Sequence, residues 1–167
     1  MVIERRITVW LSSPTITFFL LIMKRIKIVI DRDSLERYES HYFTLHPRAK
    51  KKPIKSPQHP SINTYTRMST HAANNLKQSW KAFIMWIIED LGYKDLQIQE
   101  CEITYVTYFS QDRRHDLDNI SPKYILDGFV EAGFIMDDDY THIKKLTTQC
   151  DIDKENPRIE FLIDVIK

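Results

Sequence analysis

The stretch Gln97–Phe109, QIQECEITYVTYF, decides the fold, because it is a long strand pattern that runs straight into an unusual concentration of charge. Ile103, Tyr105, Thr107 and Phe109 fall on one face and Thr104, Val106 and Tyr108 on the other, since side chains alternate along a strand. Mixed character on both faces predicts a central strand with one side only partly covered. A helix precedes it. Leu76, Trp80, Phe83, Ile84, Ile87, Ile88 and Leu91 recur at helical spacing, Ser69 or Thr70 can cap the start, and Gly92 supplies the stop. An aromatic stripe of this kind is read as core rather than as a base-stacking surface. A second helix follows: Ser121-Pro122 offers a hydroxyl cap and a proline at the first helical position, Ile125, Leu126, Phe129 and Val130 give an apolar face, and Gly133 closes it.

Further out, Ile26, Ile28 and Ile30 alternate with Lys27 and Val29 as a half-buried strand. Two more strands are predicted at Ile143–Cys150 and Arg158–Ile166, the last with Ile159, Phe161, Ile163 and Val165 in alternation. Residues 31–46 are polar and aromatic without a secure period, fitting a short helix or another strand. Residues 47–60 carry Pro47, Pro53, Pro57 and Pro60 among basic side chains, which rules out a long regular element and predicts a surface loop, mobile until it meets a partner. The order strand, helix, strand, helix, strand, strand lacks regular βαβ alternation. It predicts an α+β fold with a mixed or antiparallel sheet and two main helices.

With 167 residues, 43% of them hydrophobic and 28% charged, the chain reads as one soluble globular domain over residues 24–167. Its formal net charge of +1 favours no class of partner, but the distribution does. Lys50, Lys51, Lys52 and Lys55 crowd the proline-rich loop, and Arg113 and Arg114 precede an acidic run. Such residues are either solvated loop charges or contacts for a phosphate backbone. Cys101 and Cys150 form no metal-ligand pattern and are read as small core residues in a reducing, cytoplasmic setting; a disulfide would require neighbouring strands. In residues 1–23, Val9–Met23 is mostly apolar behind Arg5 and Arg6, like the start of a signal peptide, but it has no small-residue cleavage site and is too short to span a bilayer comfortably. We read Met23 as the true start, ahead of an added strand or helix and of a secretory signal. No membrane association is expected.

The chemistry lies in Asp116-Leu117-Asp118-Asn119 and, further on, Asp137-Asp138-Asp139. Carboxylates two apart in an extended segment point the same way and repel, an arrangement that a hard divalent cation stabilises. Three alternatives stand. The acids are solvated turn residues, with Asp118 or Asn119 capping the next helix. They hold calcium, although the glycine and terminal glutamate of an EF-hand are lacking. Or they form a catalytic Mg²⁺ or Mn²⁺ site. Lys123 and Asp127, four apart on the second helix, make either an ordinary ion pair or part of that site. Glycine-rich phosphate loops, nucleophile elbows, Cys–His pairs and dinucleotide fingerprints are absent from the sequence.

Read together, His115-Asp116-Leu117-Asp118-Asn119-Ile120, then Lys123, Asp127, Gly133-Phe134 and Asp137-Asp138, resemble the core signature of the RusA family of Holliday-junction resolvases. Pro60-Ser61-Ile62-Asn63 resembles a P-S-x-N segment of that family, and Asn156-Pro157-Arg158-Ile159-Glu160 its last strand. The resemblance covers about residues 24–167, with its specific part in 115–139. It implies a homodimer that resolves four-way and other branched DNA by paired symmetric nicks, with Mg²⁺ held by Asp116, Asp118 and Asp138, Asp137 or Asp139 being alternates. It further implies a catalytic role for Lys123 and supporting roles for Asn119 and Asp127; Arg113, Arg114, Lys50, Lys51, Lys52 and Lys55 would contact phosphates. The chain departs from the pattern in one extra residue between Asp118 and Lys123, a third acid at Asp139, His115 in place of a basic residue or proline, and a longer, more basic loop at 47–60. A non-catalytic, structure-selective DNA-binding module and a flap or fork nuclease are the competing functional readings.

Overall fold

In a computed structural model of the chain, residues 25–167 are described. The apolar segment Val9–Met23 and the expectation of a start at Met23 lie outside the described residues. Strand β1, Arg25–Ile30, buries Ile26, Ile28 and Ile30 on one face. Helix α1, Arg32–Leu45, begins at a capping box in which the Asp31 side chain accepts from Ser34 N and Ser34 Oγ accepts from Asp31 N. The short helix α2, Ile62–Thr66, precedes α3, Thr70–Asp90, which is capped by Ser69 and ends before Gly92 at φ +76°. Then come β2, Cys101–Phe109, a 3₁₀ turn at Leu117–Asn119, α4, Lys123–Glu131, and the last strands β3, Ile143–Ile152, and β4, Arg158–Val165.

The α+β class and the mixed sheet agree with the reading of the sequence. The helix count does not: the described residues hold four α-helices, and α1, α3 and α4 run to 14, 21 and 9 residues. The missed long helix is α1, which lacks a strong apolar period because its inward apolar residues are only Leu35, Tyr38 and Tyr42, beside the buried but polar Ser34. Its capping box and the packing of Tyr38 on Phe83 and Trp86, with ring centroids 4.9 and 5.4 Å apart, supply what the pattern lacks. Arg37 adds an ion pair to Asp90 at the end of α3.

The sheet has the order β1-β4-β2-β3. β1 with β4 and β4 with β2 are antiparallel, whereas β3 lies parallel to β2 at the edge. Phe161 lies opposite Ile28 on one side and Tyr105 on the other, so one face of β1, β4 and β2 forms a continuous apolar layer. α3 and α4 close over it through Trp80, Phe83, Ile84, Ile87, Ile88, Ile125 and Phe129. The uncovered face is polar: Glu160, 6% exposed, receives Arg158 at 2.7 Å and Lys27 at 2.9 Å, and Arg158 reaches Asp153 at 2.6 Å. Strands β2 and β3 do neighbour each other, yet Cys101 pairs with Ile143 and Cys150 with Thr107, so the two free thiols stand far apart along the ladder.

The loop 47–60 contains no helix or strand but is tied down at three points. Ile54 is buried, the Gln58 side chain donates to Tyr108 O at 3.1 Å, and His59 lies between Trp80 and Tyr124 with ring centroids 5.2 and 5.1 Å away. The predicted mobile loop is therefore anchored to both the sheet and the helical layer.

Candidate active site

Asp116 follows the C-terminal end of β2, where the chain leaves the sheet with its backbone extended at φ −88°, ψ 121°. Its carboxylate is exposed and accepts from Arg114 Nε at 3.1 Å, so Arg114 is turned towards the acidic run rather than away from it. Asp118 sits in the 3₁₀ turn, also exposed. Asn119 neither caps α4 nor meets a carboxylate. Its Oδ1 accepts from Asn63 N at 2.9 Å, joining the acidic turn to the first turn of α2 across 56 residues. Ser121 does not cap α4 either: the helix starts one residue beyond the expected point, at Lys123, with Pro122 as an N-cap that has no side-chain bond and whose carbonyl accepts from Ile125 N and Leu126 N. His115 stacks on Phe109, ring centroids 3.5 Å apart, and fixes the exit from β2.

The acid triplet divides by role. Asp137 Oδ1 accepts from Asp138 N at 2.7 Å. Asp139 accepts from Thr141 N, Thr141 Oγ1 and His142 N, and the Thr141 and His142 hydrogen bonds hold its pKa down at about 2. Both are turn carboxylates occupied by neighbouring donors. Asp138 alone of the three makes no side-chain hydrogen bond among the described residues. Partial burial raises its pKa, the charges of Asp127 and Asp137 raise it further, and Lys123 opposes them.

Behind Asp138 stands a pairing the sequence did not announce. Lys77 Nζ of α3 lies 2.8 Å from Asp127 Oδ2 of α4, a charge pair off hydrogen-bond alignment, with the carboxylate 16% and the lysine 35% exposed. Lys81 and Glu131 repeat the pairing one turn further on at 2.6 Å. The ordinary ion pair between Lys123 and Asp127, one of the two alternatives the spacing allows, is not formed. His59 is packed nearby: its Nδ1 faces Pro60 O at 2.8 Å, its Nε2 has no partner, and burial lowers its pKa to about 4 although the Pro60 carbonyl and Asp127 oppose that shift. The signal for Lys77 was present: it lies on the same stripe as Trp80 and Ile84, a cation at the edge of an apolar face. His59 carried no comparable pattern.

Of the proposed phosphate contacts, Lys52 pairs with Glu39 at 2.8 Å, while Lys50, Lys51, Lys55 and Arg113 are exposed and enter no ion pair among the described residues. No three His, Cys, Asp or Glu side chains among the described residues stand together as a metal-ligand set. Asp116 and Asp118 follow the C-terminal end of β2 and Asp138 precedes the N-terminal end of β3, with α4 between them in the chain. Comparison of the chain with models of protein families gives no match, and comparison with curated proteins gives none.

Proposed function

We propose that the protein is an endodeoxyribonuclease of branched DNA, cutting four-way junctions as a homodimer with Mg²⁺, or Mn²⁺ in its place. The observation that carries this reading is that separated motif segments are brought into contact by the fold. Asn119 of the acidic turn bonds the backbone of Asn63, and Asp138 lies within charge range of Lys123, Asp127 and Lys77. Solvated loop acids without a shared role have no need of such convergence.

The chain's own residues have definite tasks in this proposal. Lys123, exposed at the start of α4, offers a compact cation to a phosphate oxygen or to the leaving oxygen. Arg113, Lys50, Lys51 and Lys55 follow the flanking backbone, positioning DNA without reading its sequence. Asp116, Asp118 and Asp138 are the residues that would hold the divalent cation the resemblance implies; no three His, Cys, Asp or Glu side chains among the described residues stand together as a ligand set.

That no three carboxylates among the described residues form a metal-ligand set favours a second reading, a structure-selective DNA-binding module without catalysis. An end-labelled four-way junction incubated with Mg²⁺, with Mn²⁺ and with EDTA separates the two. Symmetric nicks in the metal lanes that disappear in Asp118→Asn, with binding retained, support the nuclease. Binding without cleavage in either metal sinks it and leaves the binding module. Forks and flaps cut in preference to junctions would move the substrate class within the same chemistry.

A further inference from the structure

Lys123 and Asp127 lie one turn apart on α4, the spacing at which a lysine and an aspartate pair on an isolated helix. The tertiary structure breaks that local preference. Asp127 turns to Lys77 of α3 at 2.8 Å, and Lys123 enters no ion pair among the described residues. The competition is decided by exposure. Asp127 is largely buried and Lys77 is 35% exposed, so their pair is less screened than one with Lys123, which is exposed and whose attraction to Asp127 is weakened by water and salt. The Lys81–Glu131 pair one turn along, and the contact of Gly128 with Ile84, hold the two helices in the register that makes the exchange possible.

We infer that Lys77 is a positioning residue: it holds Asp127 away from Lys123, so that the Lys123 ammonium stays open to an incoming phosphate beside Asp138. The inference rests on the proposed cleavage of DNA at this surface and adds to it a residue from a different helix with no part in the acidic motif. Without Lys77, Asp127 swings to its neighbour one turn back and neutralises it. Removing the carboxylate as well should undo the damage. A merely structural lysine would not show that reversal.

The test uses the full chain, with Lys77→Met, Lys77→Arg and the double variant Lys77→Met with Asp127→Asn, each checked for folding by circular dichroism. Two readouts are taken. One is single-turnover junction cleavage with junction affinity measured separately. The other is the rate at which acetic anhydride labels Lys123, followed by mass spectrometry, which needs no nuclease activity. Lys77→Met is expected to slow Lys123 labelling about threefold, because the freed Asp127 carboxylate pairs with the ammonium and keeps it from reacting as a free amine. Its cleavage rate falls while junction affinity holds. Lys77→Arg stays near wild type in both, and the double variant regains the Lys123 labelling rate. Unchanged Lys123 labelling in Lys77→Met overturns the inference whether or not the protein cuts DNA. Slowed labelling with undiminished cleavage overturns the positioning role, as does a double variant whose Lys123 labels no faster than in Lys77→Met. If wild type cuts no branched DNA while the labelling shifts as expected, the exchange of partners stands and the nuclease reading fails.

Discussion

Gly128 is the point where α4 comes closest to α3, and replacing it with alanine tests whether that approach organises the surface above. A Cβ built there lies 2.6 Å from Ile84 Cβ and 2.7 Å from its Cγ2, whereas ordinary contact begins at 3.4 Å. Ile84 is fully buried beneath the helical layer, so it cannot simply swing away. Two terms oppose each other. Alanine is the better helix former and gains about 0.5–1 kcal/mol by limiting the unfolded backbone. Forcing an extra methyl into a filled interface costs about 1–3 kcal/mol. Packing wins, because the obstruction is a branched Cβ rather than the end of a flexible chain. The expected result is a net loss of about 1–2 kcal/mol, read from urea denaturation; at about 2–4 °C per kcal/mol for a chain of this length, that is a fall of about 2–8 °C in Tm. In an Ile84→Ala background the added methyl has room, so the two substitutions should be non-additive, with a coupling near 1 kcal/mol or more. A Gly128→Ala protein as stable as wild type would show that the helices separate freely and that no close contact sets the Lys77–Asp127 register.

Asp118→Asn should abolish metal-dependent cleavage and spare junction binding, both measured on one labelled four-way junction; surviving activity would remove Asp118 from the site. Triple replacement of Lys50, Lys51 and Lys55 by glutamine should weaken DNA binding and flatten the plot of log affinity against log salt by about 0.9 for each phosphate no longer neutralised. An unchanged slope would return the loop to ordinary solvated charge. His59 has a folded pKa of about 4 against 6.5 in an unfolded chain, so the unfolded state binds the extra proton. Its contribution is complete above pH 6.5 and is lost as pH falls towards 4, an effect of up to about 3 kcal/mol. Urea midpoints between pH 7 and 4.5 should drop more steeply for wild type than for His59→Phe; parallel curves would refute the assignment. Arg158→Met should cost about 2–3 kcal/mol in urea, because it leaves Glu160, 6% exposed, with Lys27 as its one remaining cation.

Wherever neighbours in sequence sufficed, the elements were legible. The stripe from Leu76 to Leu91 with Ser69 before it and Gly92 after it, and the alternation of Ile26, Ile28 and Ile30 and of Ile159, Phe161 and Ile163, are periodic patterns carrying their own boundaries. Helix α1 was not legible, because its inward residues are few and it is completed by contact with Phe83 and Trp86, some 45 residues away. The candidate site divides in the same way. The D-x-D run, the acid triplet and the basic loop stood out as chemistry within a short stretch. Which triplet carboxylate is left without a hydrogen bond depended on the turn at Asp139–His142, and the partner of Asp127 on how two helices pack.

The sequence by itself determined the strands, the principal helix and the cluster of acids, because periodicity, caps and charge are properties of adjacent residues. Only the tertiary structure decided that β3 runs parallel to β2 and that Asp127 takes Lys77 instead of Lys123. Strand direction and ion-pair choice are settled by groups dozens of residues apart competing for the same burial, and no local pattern records the outcome of that competition.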